Sequence, residues 1–251
     1  MKLRLIIIAW LVASAIGPSP SAAQELRVAL GSAVTSADPH FTVLGSNSAL
    51  ARNVFDGLIN QDDTQRLAPA LAVSWRALDT TNWEFKLRDG VKFHDGSEFG
   101  AEDVAASIRR VATIKNSPNS FLPFVRPIKA VTIVDRLTLR IETTAPYPLL
   151  PAALSRIAIV PRGAELLGQE GFNAATQAHG TGAYKLVEFV PGERAVLRRN
   201  DAHWGGTPSW DRVVFRIVPN DSTRIATLLA GDVDVIENVP TSNAAKLAAD
   251  A

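Results

Sequence analysis

The stretch Trp83 to Val111, WEFKLRDGVKFHDGSEFGAEDVAASIRRV, changes its apolar period once, and that change constrains the fold more than any other feature. Trp83, Phe85 and Leu87 alternate with polar residues, as a strand with one buried face requires. Asp89-Gly90 predicts a turn, Val91-Lys92-Phe93 resumes the alternation, and Asp95-Gly96 predicts a second turn. From Ala101 the period is helical, with Val104, Ile108 and Val111 at i, i+4 and i+7. Gly100 is an acceptable N-cap, and Glu102 and Asp103 put negative charge in the first turn, where the helix dipole favours it. Strand, turn, strand, turn and helix make one compact unit with nothing catalytic in it.

The flanking segments follow the same rules. Leu26, Val28 and Leu30 alternate as a first strand, and Asp38-Pro39 keeps Gly31 to Asn47 out of helix. Ser46 or Ser48 is positioned to cap a helix carrying Leu50, Val54, Phe55, Leu58 and Ile59 on one face. Pro69 to Trp75 predicts another short helix. Asn116 to Pro127, interrupted by prolines, predicts a loop, and Val131 to Ile141 a hairpin turning at Asp135-Arg136. Gly163 to Gly182 mixes helix and loop signals. Strands are expected at Tyr184–Val190, Ala195–Arg199 and Arg212–Val218. A helix bearing Ile225, Leu228 and Leu229 then stops at Gly231, and Val233, Val235 and Ile236 form a last strand. The class is α/β with a mixed sheet.

Residues 1–23 read as a secretory signal: Lys2 and Arg4, an apolar run from Leu5 to Ile16, and Ser21-Ala22-Ala23 before Gln24. The apolar run, about 12 residues, is shorter than the roughly 20 that span a bilayer. The sequence contains 0 Cys, which excludes a lipid-modified N-terminal cysteine, disulfides and thiolate sites. An exported protein with no stable membrane insertion is expected, most simply in a bacterial periplasm. Cleavage would remove two of the 26 basic residues against 25 acidic ones, so no charge excess calls for nucleic acid.

Few residues invite chemistry. The histidines at 40, 94, 179 and 203 lack metal-ligand spacing, so no metal and no cofactor is expected. Gly180-Thr181-Gly182 resembles the start of a phosphate loop, but a strand follows it, and a turn re-entering the sheet is the better reading. No Gly-Lys-Ser/Thr phosphate loop and no G-x-S-x-G elbow occurs. Asp232 and Asp234 alternate with Val233 and Val235, as one solvated strand face requires. Trp75 and Trp83 are expected in the core.

Four blocks carry a resemblance: Asp38-Pro39-His40; Ala72-Val73-Ser74-Trp75 through LRDGVKFHDG to AEDV; Gly180 to Gly206; and Asp211 to Pro240. Together they resemble the bacterial extracellular solute-binding proteins of family 5, the peptide and nickel binders of ABC importers. The resemblance implies a periplasmic-binding-protein-like (type II) lobe with a mixed β-sheet and an inserted α/β subdomain. Residues 24–55 and 179–251 would form the main lobe and residues 56–178 the insertion. It implies no enzymatic activity, a di- or oligopeptide ligand, and docking on importer permease subunits. A nickel chelate, an opine or an oligosaccharide is the alternative ligand, and a secreted hydrolase the less favoured reading. Ligand contact is carried over onto Thr42, Val43, Leu44, Gly45 and Ser46, whose backbone would pair with an extended peptide. A second contact falls on the loop with Asn119, where relatives often carry an aromatic that Phe121 could replace. Thr241 to Ala251 shows no helix stop, and the family continues into a second lobe, so the resemblance implies a first lobe only, with the second lobe absent.

Overall fold

A computed structural model describes residues 24–249; the expected signal segment lies outside the described residues. The first strand, β1 (Glu25–Leu30), is followed by a loop and α1 (Gly45–Val54). Next come β2 (Ile59–Gln61), β3 (Leu67–Pro69), β4 (Ala72–Ala77) and β5 (Asn82–Leu87). Then follow α2 (Ala101–Val111), α3 (Leu122–Val125), β6 (Ile128–Asp135), β7 (Thr138–Thr143) and α4 (Leu150–Leu154). A 3₁₀ turn, Arg162–Leu166, leads to α5 (Gln169–Asn173), β8 (Tyr184–Val190), β9 (Arg194–Arg199) and β10 (Arg212–Ile217). The described chain closes with α6 (Asp221–Leu229), β11 (Val235–Ile236) and α7 (Thr241–Ala249).

The main sheet has the order β11-β1-β10-β9-β8. Strand β1 runs parallel to both its neighbours, β10 and β11, while β8, β9 and β10 form an antiparallel meander. The β10–α6–β11 crossover therefore brings the carboxyl ends of three parallel strands to one edge, the place where open α/β sheets offer a crevice to ligands. A four-stranded antiparallel sheet, β4-β5-β7-β6, carries the signature unit. Phe85 lies opposite Trp75 and Leu139, and Trp83 opposite Ala77 and Ile141, so these side chains share one face. Phe85, Leu139 and Ile141 are wholly buried and Trp83 is half-buried. On the other face, Glu84 is 5 % exposed because Arg76 and Arg140 bracket its carboxylate. Their hydrogen bonds hold it below the usual carboxylate range.

Two apolar cores result. Leu58 to Ile159 build one beneath the four-stranded sheet and α2, while Leu30 to Phe55 and Val160 to Phe215 build the other on the main sheet. Each buried Leu, Ile or Phe contributes about 1.5–3 kcal/mol. Helix α2 begins as its sequence requires. The Gly100 N–H donates to Asp103 Oδ2 at 2.8 Å, and Val104, Ile108 and Val111 are buried.

Several local expectations fail for identifiable reasons. The expected helix at Pro69–Trp75 is strand β4, because its residues pair with β5 through a bulge between Ala72 and Ser74. Pairing overrides a weak helix signal. Helix α1 ends at Val54 rather than carrying Leu58 and Ile59, which are buried in the other core. Val91–Phe93 forms only the bridge Lys92↔Glu98, yet Val91 and Phe93 are buried as alternation predicts. Asn116 to Pro127 contains α3 in place of a continuous loop. Val233 is 2 % exposed and Val235 46 %, so they do not share a buried face; the chain bends before the two-residue β11.

Candidate functional site

The Asp38-Pro39-His40 turn fixes the site from below. Asp38 receives two hydrogen bonds from Arg110 of α2, at 2.8 and 2.7 Å, and both side chains are 1 % exposed. Arg110 also donates to Leu167 O at 3.0 Å and to His40 Nδ1 at 3.1 Å, and stacks on Phe172 with its Cζ 4.6 Å from the ring centroid. A guanidinium can only donate, so His40 Nδ1 accepts and Nε2–H donates to Ala158 O at 2.8 Å. Burial, with the Arg110 charge second, lowers the His40 pKa to about 4. The motif therefore ties β1's following loop to α2 and to both segments flanking Val160, and it holds a neutral imidazole.

His94 does the same at the signature turn. The Gly180 N–H donates to its Nδ1 at 3.2 Å, and its Nε2–H donates to Gly182 O at 3.0 Å. Its pKa is also lowered to about 4, chiefly by burial. The Gly180-Thr181-Gly182 segment has no room for side chains: a Cβ on Gly180 would lie 1.9 Å from Val54 O, and on Gly182 2.6 Å from Val54 C. The Gly182 N–H closes on Val54 O at 3.0 Å. These glycines allow the chain to pass the end of α1 and enter β8, which is the structural reading and not a phosphate loop. Asp234 is held by Arg27 through two side-chain hydrogen bonds, which lower its pKa, so it forms no acid–base pair with Asp232.

On this base sit the expected contact residues. Leu44 is the N-cap of α1 in extended geometry, φ −61° and ψ 145°, and Gly45 and Ser46 are already helical. The segment Thr42–Ser46 is thus a loop-to-helix junction and not one continuous extended edge. The Val43 N–H donates to Asn119 O at 3.0 Å, and Ser117 Oγ donates to Phe41 O at 2.5 Å. The structure thereby brings the two predicted segments side by side, and it occupies one backbone donor in doing so. Leu44, Gly45 and Asn119 are exposed, Val43 is half-buried, and Thr42 and Ser46 are buried. Phe121 is 6 % exposed, packed against His40 and Phe124, so its ring lies in the core and not on the surface.

Sequence reasoning missed Glu237 and Arg224. Glu237 Oε2 accepts from the Gly31 N–H at 3.1 Å and from Ser46 Oγ at 3.4 Å, joining the ends of β1 and β11 to the first turn of α1. Arg224, 1 % exposed, donates to the carbonyls of Val218, Pro219, Glu237 and Asn238. Charged residues in polar stretches gave no signal, since their value lies in the strand ends they join. Among the described residues no group of three or more His, Cys, Asp or Glu could hold a metal ion, and no helix is long and apolar enough to cross a membrane.

This fold, with its loop-to-helix junction at the carboxyl edge of a mixed sheet, is that of a periplasmic binding protein lobe. The chain belongs to the bacterial extracellular solute-binding proteins of family 5, whose middle-region profile matches residues 66–251. It is 30% identical over 242 residues to the glutathione-binding protein GsiB of Pectobacterium atrosepticum, covering 94% of this chain and 47% of GsiB. Among solved structures, it superposes on the Helicobacter pylori periplasmic binding protein DppA in complex with the peptide STSA. That match has a TM-score of 0.79 at 27% identity and covers 90% of this chain and 48% of DppA. The unliganded open form of the murein tripeptide-binding protein MppA matches with a TM-score of 0.80 at 28% identity, covering 92% of this chain and 48% of MppA. The chain spans about half the length of the relatives it matches. These relatives are binding proteins.

Proposed function

We propose that this chain is the first-lobe side of an exported, periplasmic solute receptor that takes short peptides and delivers them to ABC importer permease subunits. Residues 1–23 act as a cleaved signal. The observation that carries the reading is the hydrogen bond from Val43 to Asn119, which sets two exposed segments together at the amino end of α1. Leu44, Gly45 and Asn119 offer contact to one side of an extended ligand; Thr42, Val43, Ser46 and Phe121 support them. A second lobe closing by hinge motion supplies the other side. Binding is non-covalent, and buried His40 and half-buried His94, each engaged at both ring nitrogens, serve structure and not catalysis.

The two apolar cores support a division of this lobe, with residues 56–178 as the insertion. Val160, Ala164, Phe172, Ala175 and Ala178 pack on the main-sheet core, which favours a second boundary nearer residue 160. The test is a thermal-shift panel of di- and tripeptides, sugars, opines and nickel chelates, with product detection in parallel. A saturable shift with peptides and no product is expected. A shift confined to non-peptides would replace the ligand class, and turnover of any compound would overturn the receptor reading.

A further inference from the structure

A small pocket opens beside the Thr42–Ser46 junction, walled by one face of α1 and by the segment Ser155–Ala158. Its volume is about 70 Å3, too small for a peptide and large enough for a terminal group. Two guanidinium groups line it from separate elements: Arg52, in the last turn of α1, and Arg156. Both are exposed, and among the described residues neither forms an ion pair or a side-chain hydrogen bond. Arg156 is steadied by the Phe124 ring, with its Cζ 5.5 Å from the centroid. Asp38 is the one carboxylate in the lining, and Arg110 already neutralises it. The pocket therefore carries two uncompensated positive charges.

A second observation points the same way. Thr42 lines the pocket and is 3 % exposed, yet its Oγ1 has no hydrogen-bond partner. A buried hydroxyl left unpaired destabilises the fold unless a ligand satisfies it. Arg52 alone would be explained by the negative end of the α1 dipole. That explains neither Arg156 on another segment nor the unpartnered Thr42 hydroxyl in the same lining.

We infer that this pocket takes an anionic terminal group of the solute, a carboxylate, with Arg52 and Arg156 as its charge partners and the Thr42 hydroxyl as a donor. The inference rests on the receptor reading above and names the ligand chemistry that its first lobe selects. An ionised acceptor between two forked donors suits arginine better than a neutral group does.

The test uses the ¹⁵N-labelled protein and three probes: triglycine, triglycine amide and inorganic phosphate. The variant Arg52→Gln/Arg156→Gln changes exposed side chains, so it should keep the wild-type fold, checked by its amide spectrum. Triglycine should shift the amides of Thr42, Val43 and Ala158 saturably, and the double variant should bind it at least tenfold more weakly while binding the amide as the wild type does. Equal affinity of wild type and variant for triglycine overturns the pocket and leaves the receptor reading standing. If no peptide binds but phosphate shifts those amides in the wild type alone, the anion pocket stands and the peptide reading falls. If none of the probes shifts them, both fall.

Discussion

Replacing Arg110 by Leu tests the buried network most severely. The substitution keeps apolar bulk but leaves the Asp38 carboxylate, 1 % exposed, without its counter-charge. Asp38 Oδ1 keeps the His40 N–H at 3.0 Å, whereas Oδ2 loses the Arg110 donor. His40 Nδ1 and Leu167 O also lose a donor. Breaking one side of a buried ion pair costs about 3–5 kcal/mol, more than the about 1.5–3 kcal/mol of one charge-assisted hydrogen bond. Asp38→Asn removes the stranded charge yet keeps an acceptor for the His40 N–H. It should therefore destabilise the wild type but stabilise Arg110→Leu, a reversal of sign across the double-mutant cycle. Urea unfolding followed by tryptophan fluorescence reads all four proteins, with equal m-values required for comparison. A loss below about 1 kcal/mol for Arg110→Leu, against the 3–5 kcal/mol expected of a broken buried pair, would refute the reasoning. So would Asp38→Asn destabilising both backgrounds.

Other outcomes follow from the same geometry. His40 and His94 both titrate near 4 when folded, below the ordinary value of 6.5. Their folded pKa values are depressed, so the neutral ring's stability is present above about 6.5 and lost as pH falls towards 4; linkage gives about 2 kcal/mol lost per histidine by about pH 5. Urea midpoints from pH 7 to 5 should fall accordingly, and a flat profile would disprove the neutral rings. Gly180→Ala should lose about 2 kcal/mol or more, or fail to fold, against the few tenths expected of Gly163→Ala in open space; equal melting temperatures would exclude the close approach to Val54. Trp83→Ala should cost about 1.5–3 kcal/mol, below the 3–5 kcal/mol of a wholly buried ring, and a loss under about 0.5 kcal/mol would put that strand face in solvent. Mass spectrometry of the exported protein should find Gln24 at its N-terminus, and retention of residues 1–23 would contradict cleavage.

What was legible in the sequence was local. Period and turn residues placed β5, α2, the β6–β7 hairpin and the β8–β9–β10 meander, because each repeats a short pattern against one apolar face. Pairing between distant segments was not legible. Strand β4 read as helix because β5, its partner, decides its conformation. The Asp38-Pro39-His40 motif was visible, but its meaning lies in Arg110, 72 residues away in sequence. The candidate site shows the same limit. Residues Thr42 to Ser46 were reached only through the family resemblance and expected as an extended edge, so the start of α1 at Gly45 was not foreseen, whereas Arg52, Arg156 and Glu237 look like ordinary surface charges until the chain folds around them.

The central claim is that the Thr42–Ser46 junction and the Ser117–Phe121 loop form one side of a peptide site. The most direct measurement is photoaffinity labelling with a tripeptide carrying a benzophenone side chain, the labelled residues being read by tandem mass spectrometry. The account predicts labels at Leu44, Gly45 and Asn119 that unlabelled tripeptide competes away. Saturable labels confined to another surface, such as the outer face of β6, or labels that no peptide displaces, would contradict it.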